Sequence, residues 1–233
     1  EVVKRYSQKI QLPLMPDSTQ IKALETALKQ IGGRCIINSV NLEDGEEKFD
    51  EVCALAKRFG AALVCLVIDE TGMAKTAQRK LEVAERIFQR AVNVHGFRPS
   101  DLVFDMLVFT VGSGDDEYRT AAVETIEAIR EFQKRHPEVG TTLGLSNISF
   151  GLAAHARIYL NSMFLHHCVQ AGLTTAIVNV KHLLPMNKIS EEDRKYCEDL
   201  LFNNQEKGDP LFRFIEHFSS KEAIVEQTDE EYN

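Results

Sequence analysis

The chain has 233 residues, of which 44% are hydrophobic and 27% are charged, and its formal net charge is -8 with a pI near 5.4. This acidic composition is typical of a globular domain and argues against a nucleic-acid partner, because binding to a phosphate backbone needs clustered Lys and Arg. No apolar run approaches the roughly 20 residues that span a bilayer, and the first residues lack a signal peptide's apolar stretch. We therefore expect a cytoplasmic protein with no membrane partner.

Six apolar runs rich in Val, Ile and Leu alternate with helical patterns along the chain. The runs predict strands at residues 12–15, 35–40, 62–68, 102–111, 142–148 and 176–180. The first helix, at 19–31, carries its apolar residues at spacings of three and four, which makes one stripe that faces a sheet. Other helices are predicted to end at Gly60, Gly96 and Gly172, and Pro137 closes the charged helix before it.

Strands that are continuously apolar and joined by helices predict a parallel sheet in an α/β fold. At least six such units without a break in composition favour a (β/α) barrel over two small domains. We expect this barrel to occupy residues 1–203. Residues 204–233 read as a turn, a short amphipathic helix at 211–218 and an acidic tail at 226–233, which is typical of a linker toward another module.

Every predicted strand ends in a carboxylate or an amide, and these residues are Asp17, Asn38, Asp69, Asp105, Asn147 and Asn179. The carboxyl ends of parallel barrel strands share one rim, where barrel enzymes build their sites, so the six groups are expected to converge on one pocket. Any one of them alone fits a helix N-cap better than a ligand, because Asp and Asn are good N-caps after a strand. Asp69, which precedes Glu70-Thr71-Gly72, is as consistent with a turn residue as with a ligand.

The side-chain types at this rim restrict the class of ligand that it could bind. It offers hydrogen-bond acceptors and amides but no Lys or Arg at a strand end, and Gly112-Ser113-Gly114 is followed by two aspartates that would repel a phosphate. A neutral heterocycle rich in N–H donors, such as a pterin, fits this set. The five cysteines have no spacing typical of a zinc site, and adjacent His166 and His167 on a helix cannot face one metal, so we expect no metal here.

Several motifs resemble the pterin-binding barrel of cobalamin-dependent methionine synthases. They are Asp17-Ser18-Thr19, Ile37-Asn38-Ser39 with Glu43 and Gly45 after it, Phe104-Asp105, and Gly144-Leu145-Ser146-Asn147-Ile148-Ser149-Phe150-Gly151-Leu152. The resemblance runs in order from about Leu12 to Asn203. It implies a (β/α)8 TIM-type barrel of the pterin-binding, dihydropteroate synthase-like kind. The chain begins near the third strand of that barrel, so we expect the first two strands to be missing from it.

The resemblance also implies the site and its chemistry. By this resemblance, the pterin ring of 5-methyltetrahydrofolate is expected to form hydrogen bonds with Asp17, Asn38, Asp105 and Asn147. The resemblance also places Arg157 near the folate. Asp69 and Asn179 remain candidate pterin ligands from their places on the rim. Asn147 is the expected catalytic residue, because an amide both donates and accepts and so serves N5 in either protonation state while the methyl group leaves.

The implied activity is methyl transfer from 5-methyltetrahydrofolate to cob(I)alamin in the synthesis of methionine from homocysteine. Cobalamin is expected on a separate module of the same polypeptide and zinc only in a separate homocysteine domain, with no cofactor bound by this chain alone. The alternatives are the methyltransferase that serves a corrinoid iron-sulfur protein, dihydropteroate synthase, and a non-catalytic scaffold. Dihydropteroate synthase is disfavoured because Gly-Leu-Ser-Asn-Ile stands where that enzyme has a Gly-x-Ser-Arg-Lys pattern.

Overall fold

The computed structural model describes residues 2–219 as helices that alternate with short strands. The strands are β1 (Ile36–Val40), β2 (Ala62–Leu66), β3 (Ile68–Asp69), β4 (Gly72–Met73), β5 (Leu102–Asp105) and β6 (Gly140–Thr142). The α-helices are α1 (Val2–Ser7), α2 (Ile21–Leu28), α3 (Gly45–Phe59), α4 (Ala77–Gln89), α5 (Ala121–Arg135), α6 (Ala154–Ala171), α7 (Glu191–Leu201) and α8 (Pro210–Ser219). The predicted helix at 211–218 is observed as α8, whereas the acidic tail at 226–233 lies outside the described residues.

The described chain divides into two compact units. Unit 1 consists of the residues up to Leu107 together with Glu131–Thr142, and it contains all six strands. Unit 2 consists of Val108–Arg130 and the described residues from Leu143 onward, and it contains α6, α7 and α8. Helix α5 contributes residues to both units.

The sheet of unit 1 has the strand order β1-β2-β5-β6, and all of its neighbouring strands are parallel. Its strands are apolar because both faces are covered, and Ile37, Leu63, Val64 and Phe104 are fully buried. This confirms the predicted parallel α/β sheet. Within residues 2–219 the hydrogen-bonded strands do not close into a barrel, and β3 and β4 form a separate antiparallel hairpin.

The first predicted strand, at 12–15, is not formed as a continuous ladder. Its end lies against β1, where the Asn38 amide donates to the Pro16 carbonyl at 3.0 Å and the Ser18 amide donates to the Asn38 carbonyl at 3.0 Å. Pro13 and Pro16 have no N–H group to donate, so this segment cannot pair along its whole length. What remains is an isolated parallel bridge between Asp17 and Asn38.

The strands predicted at 102–111 and 142–148 are shorter than expected. The first ends at Asp105, because Leu107 adopts a left-handed conformation with φ 57° and turns the chain. The second is replaced after Thr142 by a 3₁₀ helix, Leu145–Ser149, so Asn147 lies in a helical turn rather than at a strand end. In the predicted sixth strand only Ile177 pairs, through a parallel bridge to Gly144.

The predicted helix ends are largely confirmed. Helices α3 and α6 each end at a glycine in the left-handed conformation, Gly60 at φ 64° and Gly172 at φ 111°, which a residue with a side chain rarely adopts. Helix α5 ends at Arg135, two residues before Pro137. None of the helices within residues 2–219 combines the length and the apolar character needed to cross a bilayer.

Candidate functional site

Unit 1 brings three of the predicted site residues to the carboxyl end of its sheet. Asn38 in β1 pairs with Val64 of β2, and Asp105 in β5 pairs with Leu66 of the same strand. Val64 and Leu66 are two residues apart and therefore share one face of the sheet, so the register places Asn38 and Asp105 on that face as well. Asp17 joins them through its bridge to Asn38.

Asp105 is the most buried of these three groups, with 9% of its surface exposed. Its Oδ1 accepts a hydrogen bond from the amide of Leu107 at 2.8 Å. Burial raises the pKa of Asp105 to about 6, against the opposing effects of the Leu107 amide and the Lys80 ammonium. The carboxyl group is therefore ionised at neutral pH, when it only accepts hydrogen bonds, and it becomes a donor below pH 6.

Lys80 lies beneath this turn and was not predicted as a site residue. Its side chain is fully buried, and its Nζ donates to the carbonyl of Met106 at 2.5 Å and to that of Leu107 at 2.8 Å. A signal for it does exist in the sequence, because it occupies one position of the buried stripe of α4. That stripe consists of Lys80, Val83, Ala84 and Ile87. A lysine in an apolar stripe needs a polar partner inside the protein.

The carboxylate of Asp69, at the end of β3, already accepts hydrogen bonds from other residues of unit 1. It accepts hydrogen bonds from the Thr71 amide at 3.1 Å, from the Thr71 hydroxyl at 2.7 Å and from the guanidinium of Arg79. Burial by itself would raise the pKa of Asp69, but the Thr71 and Arg79 contacts outweigh burial and lower it. Between the turn and ligand roles that the sequence left open, these contacts favour the turn.

Asn147 lies in unit 2, in the 3₁₀ helix Leu145–Ser149. Its backbone is held by hydrogen bonds of 3.2 Å to the Gly144 carbonyl and from the Phe150 amide. Its carboxamide is exposed and makes no hydrogen bond with any residue in 2–219. A side chain at Gly144 would bring its Cβ within 3.1 Å of the Asn147 Nδ2, so the glycine leaves room for the amide. The donor and the acceptor of Asn147 are both available to a ligand.

Arg157 of α6 fixes the turn that carries Asn147. Its Nε donates to the Ser149 hydroxyl at 3.0 Å, and its Nη2 donates to the Ser146 carbonyl at 3.0 Å. The Ser149 hydroxyl in turn donates to Oδ1 of Asn161, four residues further along α6, at 2.8 Å, and both of these groups are buried. The fork geometry of a guanidinium suits this two-point contact, so Arg157 positions the turn.

Asn179 is exposed and caps the short 3₁₀ helix Val180–His182. Its Oδ1 accepts a hydrogen bond from the Lys181 amide at 3.1 Å. The sequence offered this capping role as the alternative to ligand binding. The Nδ2 group of Asn179 is not used in the cap and remains a donor.

Metal-ligating residues do not cluster in the part of the chain that the structure describes. Residues 2–219 contain no group of three or more His, Cys, Asp or Glu side chains that could hold a metal ion. The cysteines are buried, and burial raises the pKa of the Cys53 thiol to about 12, so this thiol stays protonated at neutral pH. The two turns described above therefore offer hydrogen-bonding groups: carboxylates, amides and a guanidinium.

Comparisons with known proteins agree with this chemistry. The family described as "Pterin binding enzyme" matches residues 1–179 of the chain. The chain is 49% identical over 222 residues to the methionine synthase of Mycobacterium tuberculosis (strain ATCC 25618 / H37Rv) and 48% identical over 222 residues to that of Mycobacterium leprae (strain TN). These alignments cover 94% and 91% of this chain but 19% and 18% of the relatives, so the chain spans about a fifth of their length.

Proposed function

Since the chain belongs to the pterin-binding enzyme family, we propose that it binds 5-methyltetrahydrofolate and takes part in transfer of the N5 methyl group to cob(I)alamin during methionine synthesis. The similarity to two methionine synthases supports this function over the related methyltransferase of corrinoid iron-sulfur proteins. We also propose that the sheet belongs to a (β/α)8 barrel that extends to about residue 203. The residues after it then lead toward a cobalamin-binding module of the same polypeptide.

The observation that carries the proposal is the buried carboxylate of Asp105. A charged group in a low-dielectric site is costly to bury unless a ligand or a protein donor compensates it. The Leu107 amide compensates one oxygen, and a pterin offers a ring N–H and an amino group for the other. Asn38 and Asp17, at the same end of the sheet, supply further polar groups for the ring.

Asn147 has a different part in the proposed reaction. N5 is a poor leaving group until a proton or a hydrogen bond takes up its charge. The carboxamide of Asn147 accepts from a protonated N5 and donates to an unprotonated one, so it stabilises N5 throughout the transfer. Arg157 contributes by holding the turn, and a direct contact of Arg157 with the folate remains a further proposal, as do pterin contacts of Asp69 and Asn179.

The methyl acceptor belongs to another part of the protein in this proposal. Reduced cobalamin, when held on its own module, would supply the nucleophile for the methyl group. The polar groups described at the two turns are hydrogen-bonding groups suited to a heterocycle, and we assign none of them to cobalamin. Zinc is likewise assigned to a separate homocysteine domain.

Calorimetric titration of the natural full-length protein with 5-methyltetrahydrofolate tests the pterin site. We expect Asp105→Ala to weaken binding by about 2 kcal/mol, or roughly 30-fold, because a charged acceptor that faces N–H donors is lost. Asp116→Ala, which removes a carboxylate whose side chain is 90% exposed, is the matched control and should bind as the wild type does. Equal affinity of the two variants would remove Asp105 from the site, and absence of binding by the wild type would favour a scaffold.

A further inference from the structure

Lys80 is a fully buried lysine whose ammonium group contacts the turn that follows Asp105. Its Nζ reaches the carbonyls of two consecutive residues, Met106 and Leu107, which directly follow Asp105. Lysine is rarely buried completely, because its ammonium group loses its hydration unless several acceptors replace the water. The contacts of this buried lysine with two consecutive backbone carbonyls indicate that it holds the turn in one conformation.

The turn itself has an uncommon backbone conformation. Leu107 has φ 57°, in the left-handed region that residues with a Cβ adopt only when the surrounding structure enforces it. In this conformation the Leu107 amide points back to Oδ1 of Asp105. Asp105 accepts no other hydrogen bond from the residues between 2 and 219, so its Oδ2 remains for a ligand.

We infer that Lys80 is a positioning residue for Asp105: by holding the Met106 and Leu107 carbonyls it keeps the Leu107 amide on Oδ1 and the second oxygen presented to the pterin. This inference rests on the proposed function of Asp105 as a pterin ligand. It assigns Lys80 no contact with the pterin. The lysine acts through the turn and through its charge.

The charge of Lys80 gives the inference an electrostatic consequence. The Lys80 ammonium, which lies on the carbonyls of the two residues after Asp105, lowers the pKa of Asp105 and partly offsets the effect of burial. The strand residues paired with Asp105, Leu66 in β2 and Thr142 in β6, carry no charge. Loss of the ammonium should therefore raise the pKa of Asp105 further and weaken pterin binding at neutral pH.

Two variants of the natural full-length protein separate these effects. Lys80→Met keeps most of the length of the side chain but removes both the donors and the charge. Lys80→Gln removes the charge but keeps N–H donors for a carbonyl on a slightly shorter side chain, and it serves also where the methionine variant does not fold. Ile87→Val is the matched control, because it trims a fully buried side chain on the same stripe of α4 without reaching the turn.

The first measurement is hydrogen–deuterium exchange of a peptide that spans residues 105–109, without any ligand. We expect the Leu107 amide to lose at least ten-fold of its protection in Lys80→Met, and Ile87→Val to keep the wild-type protection. The same protection in Lys80→Met as in wild type would overturn the inference. This readout does not depend on folate binding, so it stands even if the protein binds no pterin.

The second measurement is the affinity for 5-methyltetrahydrofolate between pH 5 and 8. We expect both Lys80 variants to bind at least about ten-fold more weakly at pH 7 and to show a midpoint of the pH dependence above that of the wild type. Ile87→Val should leave the midpoint unchanged. If the variants lose affinity but keep the wild-type midpoint, or if Ile87→Val loses as much affinity, Lys80 acts only as a packing residue and the inference is wrong.

Discussion

The Nε of Arg157 donates to the hydroxyl of Ser149 at 3.0 Å, which ties helix α6 to the turn that carries Asn147. The hydroxyl of Ser149 in turn donates a hydrogen bond to Asn161, which lies further along the same helix. The turn Leu145–Ser149 is thus held in place by hydrogen bonds from α6. The position of the Asn147 amide is therefore set by this hydrogen-bonded turn and not by a strand.

Removal of the guanidinium should loosen the turn. We expect Arg157→Ala to lower the free energy of unfolding by about 1.5–3 kcal/mol, because the Ser146 carbonyl and the buried Ser149 hydroxyl lose a charged donor. Arg157→Lys should recover only part of this loss, since an ammonium cannot reach both oxygens in fork geometry. Differential scanning calorimetry measures the change. Full recovery by the lysine variant would show that the charge, and not the fork, stabilises the turn.

Asp105 should reduce the stability of the ligand-free protein at neutral pH. Its pKa is raised from 3.8 to about 6, so its contribution to stability is fully present below pH 3.8 and is lost as the pH rises through 6. At 1.36 kcal/mol per pKa unit, burial of the ionised group costs about 3 kcal/mol at pH 7. We expect Asp105→Asn to raise the free energy of unfolding by about 2–3 kcal/mol at pH 7.5 and by much less at pH 4.5. A variant that is less stable than wild type at both pH values would contradict this sign.

The same pKa predicts how folate affinity depends on pH. Only the ionised carboxylate of Asp105 accepts hydrogen bonds at both oxygens, so binding should be strong above pH 6 and weaken by about ten-fold between pH 7 and pH 5. Asp105→Asn should bind weakly and lack this part of the pH dependence. Because the titration of the folate itself is common to both proteins, the difference between their profiles isolates Asp105. Parallel profiles would assign the pH dependence to the ligand.

Much of the fold could be predicted from the sequence because parallel strands carry a strong signal. The apolar runs at 35–40 and 62–68 correspond to β1 and β2, whereas only the first four residues of the run at 102–111 form a strand, β5, which ends at Asp105. The strands predicted at 142–148 and 176–180 were largely wrong. After Thr142 these apolar segments form only one isolated bridge, between Gly144 and Ile177. In the first, the chain turns into a 3₁₀ helix at Leu145, and only the structure shows that its apolar side chains, such as Ile148, are buried from a helical turn.

Candidate site residues could be selected from the sequence where a motif contains them, as for Asp105 and Asn147, whose roles in binding stay predictions. Contacts that depend on a neighbour distant in the sequence could not be predicted. The sequence could not show that the Asp69 carboxylate is taken up by Thr71 and Arg79, since this depends on the packing of the β3–β4 hairpin against α4. Lys80 was overlooked because a single lysine in a helix is usually a surface residue.

The last prediction separates binding from chemistry at Asn147. If its amide stabilises N5 as the methyl group leaves, Asn147→Ala should lower the rate of methyl transfer by about 10²-fold or more, which is typical for loss of one preorganised donor near developing charge. Affinity for the ground-state pterin should fall less than this. Ser146→Ala, at the exposed neighbouring position of the same turn, removes a hydroxyl without touching the carbonyl that Arg157 holds and is the matched control.

The experiment is single-turnover transfer to cob(I)alamin at saturating 5-methyltetrahydrofolate, followed by the cobalamin absorbance over a series of pH values. Saturation removes the contribution of weaker binding, so a rate that stays low identifies an effect on the chemical step. An effect on N5 protonation should also change the shape of the pH profile in Asn147→Ala and leave that of Ser146→Ala unchanged. Full wild-type rate at saturation would show that Asn147 only holds the pterin ring, and the stabilisation of N5 would then have to come from another group.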